Sequence, residues 1–325
     1  SAACTGENRL VIGNGPGEEI MQRFLVRRFF ISIITLLVVS VVIFAMSRAS
    51  GDPRHIFLDD YSTQEDWDRL TVSLGLDKPY YQQYGIFLSD AMQGNFGISI
   101  KEKRPVVDII GERVVATIQL GGAAFLFSIG LGLPLGVLSA VKRGSLLDAA
   151  GKLVALVGQS APNFWLGIML MFFFAVNLGW LPAYGRQEKL SIILPAVTLG
   201  WYYVAANLRL IRSSMLDALD SEYIKLARAK GVKPAVVIWK HALRNALVPA
   251  LTFAGVTLGA LVTGSLVVET VFAWPGLGQL AVQALFAADY PLLQGVVMVF
   301  TMLYVLAALI VDVLYAYIDP RVRYA

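Results

Sequence analysis

The residues that could carry chemistry in this chain are few and scattered. Its two histidines, His55 and His241, show no H-E-x-x-H spacing and no serine partner for a proton relay, and its one cysteine, Cys4, has no companion for a disulfide or a cysteine-rich metal site. No G-x-x-x-x-G-K-[ST] run is present to cradle a nucleotide's phosphates, and the Gly13, Gly15, Gly17 cluster has no strand before it to form one. Catalysis, a metal and a bound cofactor are therefore not expected of this chain. What stands out is a polar island, Leu216 to Pro249, reading LDALDSEYIKLARAKGVKPAVVIWKHALRNALVP between two long apolar runs.

Within that island Ser221 is placed to N-cap a short helix over Glu222 to Lys230, Gly231 to serve as its C′ residue, and Pro234 to open a second helix. Tyr223, Ile224 and Ala227 fall on one side of the first helix at helical spacing. Ala227, Ala229 and Gly231 keep its end slim enough to enter a groove on a partner. Glu222, Tyr223, Ala227, Arg228, Ala229 and Gly231 are the residues expected to engage that partner. The second helix carries Lys233, Lys240, His241 and Arg244 beside Val236, Val237 and Trp239. A basic amphipathic loop resting on anionic headgroups is the competing reading, but headgroup binding does not require small residues and a glycine stop in this order.

Composition sets the surroundings. The chain has 325 residues, 57% of them hydrophobic and 15% charged, with net charge +4 and mean hydropathy +0.64, which is the profile of a polytopic membrane protein. A span needs roughly 20 apolar residues to cross a hydrocarbon core of about 30 Å. Six stretches meet that length: about 29 to 48, 114 to 141, 150 to 178, 192 to 216, 248 to 270 and 292 to 316. An all-α fold is predicted, divided into a polar tail over 1–20, a first transmembrane helix over 21–49, a helical external loop domain over 50–113, a five-span core over 114–320 containing the loop 217–248, and a tail over 321–325.

The form EYIKLARAKG followed by KHALRNALVP resembles the "EAA" coupling loop of ABC importer permeases, in the version found in the peptide, nickel and glutathione subfamily. Ala227 and Gly231 match the second Ala and the Gly of the general pattern, whereas Lys225 and Leu226 stand where Glu and the first Ala would be, and Arg244 takes the place of the Pro. The resemblance extends to the start at Met21 with QRFLVRRFF, to Gly51-Asp52-Pro53, to LGLDKPYYQQY and GNFGISIKEKRPVVDII, and to the F-x-W-P-G-L-G turn at Phe272 to Gly278. It implies a type I ABC importer permease fold with six transmembrane helices. It also implies a homologous second permease, two ABC ATPase subunits that bind ATP and Mg, and an external substrate-binding protein.

Positive-inside bias orients the spans. Arg23, Arg27 and Arg28, then Lys142 and Arg143, then Lys225, Arg228, Lys230, Lys233, Lys240 and Arg244, then Arg321 and Arg323 mark one side, while 271–291 holds no lysine or arginine. Both termini and the coupling loop are thus expected in the cytoplasm, with the chain multi-pass in the cell inner (plasma) membrane. Basic residues that follow topology rather than one face argue against nucleic acid.

Polar residues inside spans either line a water-filled path or bond between helices. Gln119, Gln159, Ser160, Asn163, Asn207 and Ser265 are the candidates for the translocation path, Gln159 to Asn163 lying beside a helix-loosening Pro162. Trp180 is suited to the membrane interface. Trp274, Pro275, Gly276 and Gly278 form the expected external gate and turn, with Trp274 as an interface anchor and Glu269 solvated nearby. Thr63 and Pro79 are expected to open small helices carrying Trp67 and Tyr84. Asp312 is expected to pair with Arg321 or Arg28. The predicted function is import of di- or oligopeptides through half of a translocation pathway. Nickel chelates, glutathione or oligosaccharides are alternatives on the same machinery; an ion-coupled carrier and a non-transporting scaffold are more distant ones.

Overall fold

The computed structural model describes residues 16–49, 54, 63–73 and 75–318. Cys4, the Gly13 to Gly15 part of the glycine cluster, Gly51 to Pro53, His55, Arg321, Arg323 and the side chain of Asp312 lie outside the described residues. Among the described residues the regular secondary structure is all helix, apart from one antiparallel bridge between Ile98 and Pro105. Among the described residues five helices are long and apolar enough to cross a membrane, or six if one bent pair counts as a span.

The first long helix, α1 (Pro16–Ala49), takes in the last five residues of the expected 1–20 tail. Its Phe30, Ile34, Leu37, Val38 and Val41 are exposed, as suits a helix facing lipid. Two short helices follow, α2 (Gln64–Ser73) and α3 (Tyr80–Met92). α3 is fastened to α1 by the Tyr84 and Phe87 rings, 5.6 and 5.8 Å from that of Phe44, and by a 2.9 Å hydrogen bond between the hydroxyls of Ser40 and Tyr84.

The centre of the bundle is a pair of long helices, α4 (Val106–Val141) and α7 (Ile193–Leu219), with α5 (Leu146–Ser160) and α6 (Asn163–Leu170) between them in sequence. Glycine lets α4 and α7 touch. A Cβ added to Gly136 would lie 2.8 Å from Ile211, and one added to Gly200 would lie 2.7 Å from the Ala124 carbonyl oxygen. Beyond α7 come α8 (Glu222–Ala229), α9 (Pro234–Val236), the π-helical turn Val237–Ala242 and α10 (Leu243–Thr263). α11 (Ser265–Val271), α12 (Leu277–Phe286) and α13 (Tyr290–Ile318) complete the chain.

Two expected spans are not continuous helices. The stretch from 150 to 178 is broken into α5 and α6, bent by 110° at Ala161-Pro162, and α6 runs on into π-helical Met171–Asn177. Pro162 has no N–H to donate and crowds the residue before it, so Ala161 takes an extended conformation (φ −80°, ψ 128°). The stretch from 248 to 270 is interrupted at Gly264, the residue type with the poorest helix propensity after proline. Pro249, in contrast, lies within α10 without ending it.

Three apolar clusters are strung along the bundle. One joins Val137, Ile211, Met215, Ile224, Val237 and Ala246 at the end carrying the coupling loop. A second gathers Leu120, Leu199, Leu261, Phe272 and Trp274, and a third Val106, Ile109, Leu280 and Val296 towards the other end. The α4–α7 contact is the seam common to the first two. Gly136→Val should therefore destabilise the purified protein by about 1–3 kcal/mol, the usual range for overpacking, in detergent thermal melts. Gly122→Ala, with nothing within 4 Å of the added carbon and a better helix former in place of glycine, should melt at or slightly above the native chain.

Candidate coupling and gating site

The short helix α8 is held by one side chain above all. Ile224 is fully buried in the cluster at this end of the bundle, and Ala227 packs half-buried against it. Tyr223 does not share that side as its spacing had suggested: it is 43% exposed, and its hydroxyl accepts a 2.7 Å hydrogen bond from Asn245 Nδ2 at the start of α10. Leu226 is 56% exposed, so Tyr223 and Leu226 present apolar surface outward from the bundle. Glu222 and Lys225 pair at 2.7 Å on the solvated surface, and Arg228 and Ala229 are exposed.

The helix ends differ in how they are made. Ser221 occupies the N-cap position, but its hydroxyl donates back to the Ala218 carbonyl rather than accepting from the first turn, so the expected side-chain cap is absent. Gly231 has φ +78°, and its N–H bonds to the Arg228 carbonyl at 3.0 Å while Val232 N–H reaches Ala227 O at 3.2 Å. That left-handed step is one an L side chain adopts only with strain, and it turns the chain immediately into Pro234 and the rod leading to α10.

At the opposite end of that rod lies a buried carboxylate. Glu269, expected to be solvated, is fully enclosed, because it has become the shared acceptor of four donors. Its Oε1 receives the hydroxyls of Thr117 (2.8 Å) and Ser265 (2.9 Å), and its Oε2 receives the N–H groups of Gly278 (2.6 Å) and Gln279 (3.1 Å) in the first turn of α12. Thr117 Oγ1 in turn accepts from Leu277 N at 2.8 Å. A carboxylate suits this place, since it meets the positive end of α12 and fills its orphan donors.

The W-P-G-L-G motif is the mould around that carboxylate. A Cβ on Gly276 would collide with the Glu269 carboxyl group, and one on Gly278 would lie 2.5 Å from Leu266 Cα. Trp274 is 2% exposed, with Nε1 donating to the Ala116 carbonyl at 2.9 Å; it is a buried peg between α4 and the turn rather than an interface anchor. Ala273 before it sits at φ +46°. Arg186 caps the outside, its guanidinium 5.9 Å from the Trp274 ring and hydrogen bonded to Gln119 Oε1 at 2.6 Å. Trp180 is exposed.

The polar residues proposed for a path do not form one cluster. Gln119 is exposed beside the turn just described, and Ser265 is enclosed and spends its hydroxyl on Glu269. Gln159 and Asn163 are half-exposed and Ser160 exposed at the Ala161-Pro162 elbow, the hydroxyl of Ser160 donating to Leu156 O. Asn207 is buried against Gly132 between α4 and α7, where its Nδ2 has no hydrogen-bond acceptor. A second buried acid, Asp289, accepts from Ser99 Oγ (2.5 Å), Lys101 N (3.1 Å) and Leu292 N (3.2 Å), and so clamps the segment before α4 to the start of α13.

Residues 132–324 match the family described as binding-protein-dependent transport system inner membrane component, and residues 21–121 match its N-terminal companion. The chain belongs to that family. It is 39% identical over 305 residues to the glutathione transport system permease protein GsiC of Escherichia coli (strain K12), covering 94% of this chain and all of the relative. It is 36% identical over 333 residues to the dipeptide transport system permease protein DppB of Alkalihalophilus pseudofirmus, with the same coverage. Its fold is that of a chain of the inward-facing MetNI methionine ABC transporter, at 22% identity and a TM-score of 0.55 over 65% of this chain and 96% of that one.

The protein is thus a multi-pass permease subunit of a binding-protein-dependent ABC importer, of the peptide and glutathione type, and not an enzyme. Ion-coupled carriage and a scaffold role fall away with that assignment. Within it, removing the Glu269 carboxylate strands donors that nothing else can satisfy, at about 1–3 kcal/mol for each buried group. Glu269→Ala should lower the thermal unfolding midpoint clearly. Glu269→Gln should do nearly as much, because its amide turns N–H groups towards existing donors. Thr270→Ala, altering an exposed neighbour, should leave the melt unchanged.

Proposed function

We propose that this permease forms half of a pathway for short peptides, driven through its coupling loop by ATP hydrolysis on separate ATPase subunits that carry the nucleotide and Mg. A homologous second permease would supply the other half, and an external binding protein would deliver the substrate. The observation that carries the reading is the construction of α8: a helix seated by Ile224 yet turning Tyr223 and Leu226 outward has an apolar surface for a partner and a rigid connection to the bundle.

Orientation follows from the lysines and arginines: the end bearing α8, Lys142 and Arg143 faces the cytoplasm of an inner membrane, with both termini on that side. ATPase closure then pushes α8 and, through the rod from Pro234 to Thr263, shifts the Glu269-held turn at the external gate. This is a rigid-body switch between two states. The polar elbow at Gln159, Ser160 and Asn163, with Asn207 and Gln119, offers the path its hydrogen-bonding surface.

Dipeptides or the tripeptide glutathione are favoured as cargo by the likeness to DppB and GsiC over nearly the whole chain. Competition for uptake between labelled dipeptide, glutathione and a nickel chelate in vesicles holding the complete transporter separates them; inhibition by the chelate alone would refute the peptide assignment. For the coupling mechanism, Gly231→Asp and Ala227→Arg should leave membrane insertion intact while abolishing uptake and substrate-stimulated ATP hydrolysis. Native uptake by both variants would refute it.

A further inference from the structure

A third buried acid has no part in the coupling helix or the outer turn. Asp148, in the first turn of α5, has a side chain only 1% exposed. Its Oδ1 accepts from Ser139 Oγ of α4 and from Arg212 Nε of α7, each at 2.7 Å. Its Oδ2 accepts from Gly144 N (3.0 Å) and Arg212 Nη2 (3.1 Å), and lies 3.0 Å from Lys152 Nζ. Ser145 Oγ caps the same turn by accepting from Asp148 N at 3.3 Å. Three helices therefore meet on one carboxylate, which Arg212 grips with two prongs.

The position of this node matters. Arg212 lies two turns before the end of α7, and α7 passes through only Asp220 and Ser221 before α8 begins. α5 is an unbroken helix of 15 residues, roughly 22 Å long at 1.5 Å per residue. Asp148 is at one end of it, and Gln159 and Ser160 at the other, just before the 110° elbow. Between Asp148 and the elbow, α5 presents Leu153, Leu156 and Val157 outward and packs on α7 at Gly158, where a Cβ would lie 2.7 Å from Ala205 Cβ; the acid is the polar attachment of that same seam. Gly151 permits the close approach, since a Cβ there would come 3.2 Å from Ser139 Oγ.

We infer that the Asp148–Arg212 clamp makes α5 a lever: it transfers displacement of α7 and its coupling helix to the Gln159–Ser160 elbow. Asp148 and Arg212 are positioning residues for the transport step, acting through α5 rather than on cargo. This inference rests on the proposed docking of α8 to an ATPase subunit. Loss of the clamp should uncouple the elbow from the motor while leaving the motor running.

The test uses the complete transporter in liposomes, with Asp148→Asn and Arg212→Lys made separately. Both should keep substrate-stimulated ATP hydrolysis within about twofold of the native rate, while cargo moved per ATP falls roughly tenfold, within the range for coupling between sites. In a Cys4→Ser background, a Ser160→Cys reporter should change its thiol-labelling rate on ATP addition with the native clamp and cease to respond in either variant. Unchanged cargo per ATP, or a reporter that still responds, overturns the lever. Parallel loss of hydrolysis and transport, or failure of both variants to assemble, marks Asp148 as merely structural and overturns it equally. If the reporter shows no ATP response even with the clamp intact, the failure lies in the coupling-helix reading, and this proposal falls with it.

Discussion

An eight-residue helix in water does not hold itself together, because nucleating a helix costs more than so few hydrogen bonds return. α8 exists as a defined surface only because Ile224 is withdrawn completely into the cluster formed by α4, α7 and the start of α10. The proposed transmission of motion depends on that burial. A finger attached by a flexible loop would bend when pushed; one whose apolar residue fills a packed interior passes its displacement to the helices around it, since interiors of this density deform little.

From that seat the chain runs through Pro234 and a π-helical turn into α10, and through Gly264 into the segment clamped by Glu269. The two ends of the rod are fixed by different physics. At the coupling end the fixing is apolar, and α8 keeps a solvated outer surface. At the other end it is polar and enclosed, where a carboxylate with four donors tolerates little change in geometry before a buried group is stranded. Such an arrangement favours discrete states over gradual deformation, which is what alternating access requires.

How much of this was legible in the sequence depends on the reach of each interaction. Gly231 as a left-handed stop, Pro234 as a helix start and the hydropathy of α1, α4, α7 and α13 are local properties, and each can be read within a few residues. The role of Glu269 is not local: its Thr117 partner lies 152 residues away, and an acid near a span's end reads equally well as solvated. Trp274 misled for the same reason, because a tryptophan beside Pro-Gly suits the interface until Ala116 offers it a carbonyl. Pro162 did announce a weak point, but not the 110° size of the bend made there. Ser145 and Asp148 at capping-box spacing were the available sign of the clamp on Arg212, and only the fold reveals that the cap is also a three-helix junction.

In the proposed mechanism the motor engages the outward surface of α8. A photoreactive side chain at Leu226 in the assembled transporter tests it most directly. The expected product is a covalent adduct with an ATPase subunit, altered in yield when ATP is trapped. Adducts with lipid alone, or with the external binding protein, would contradict it.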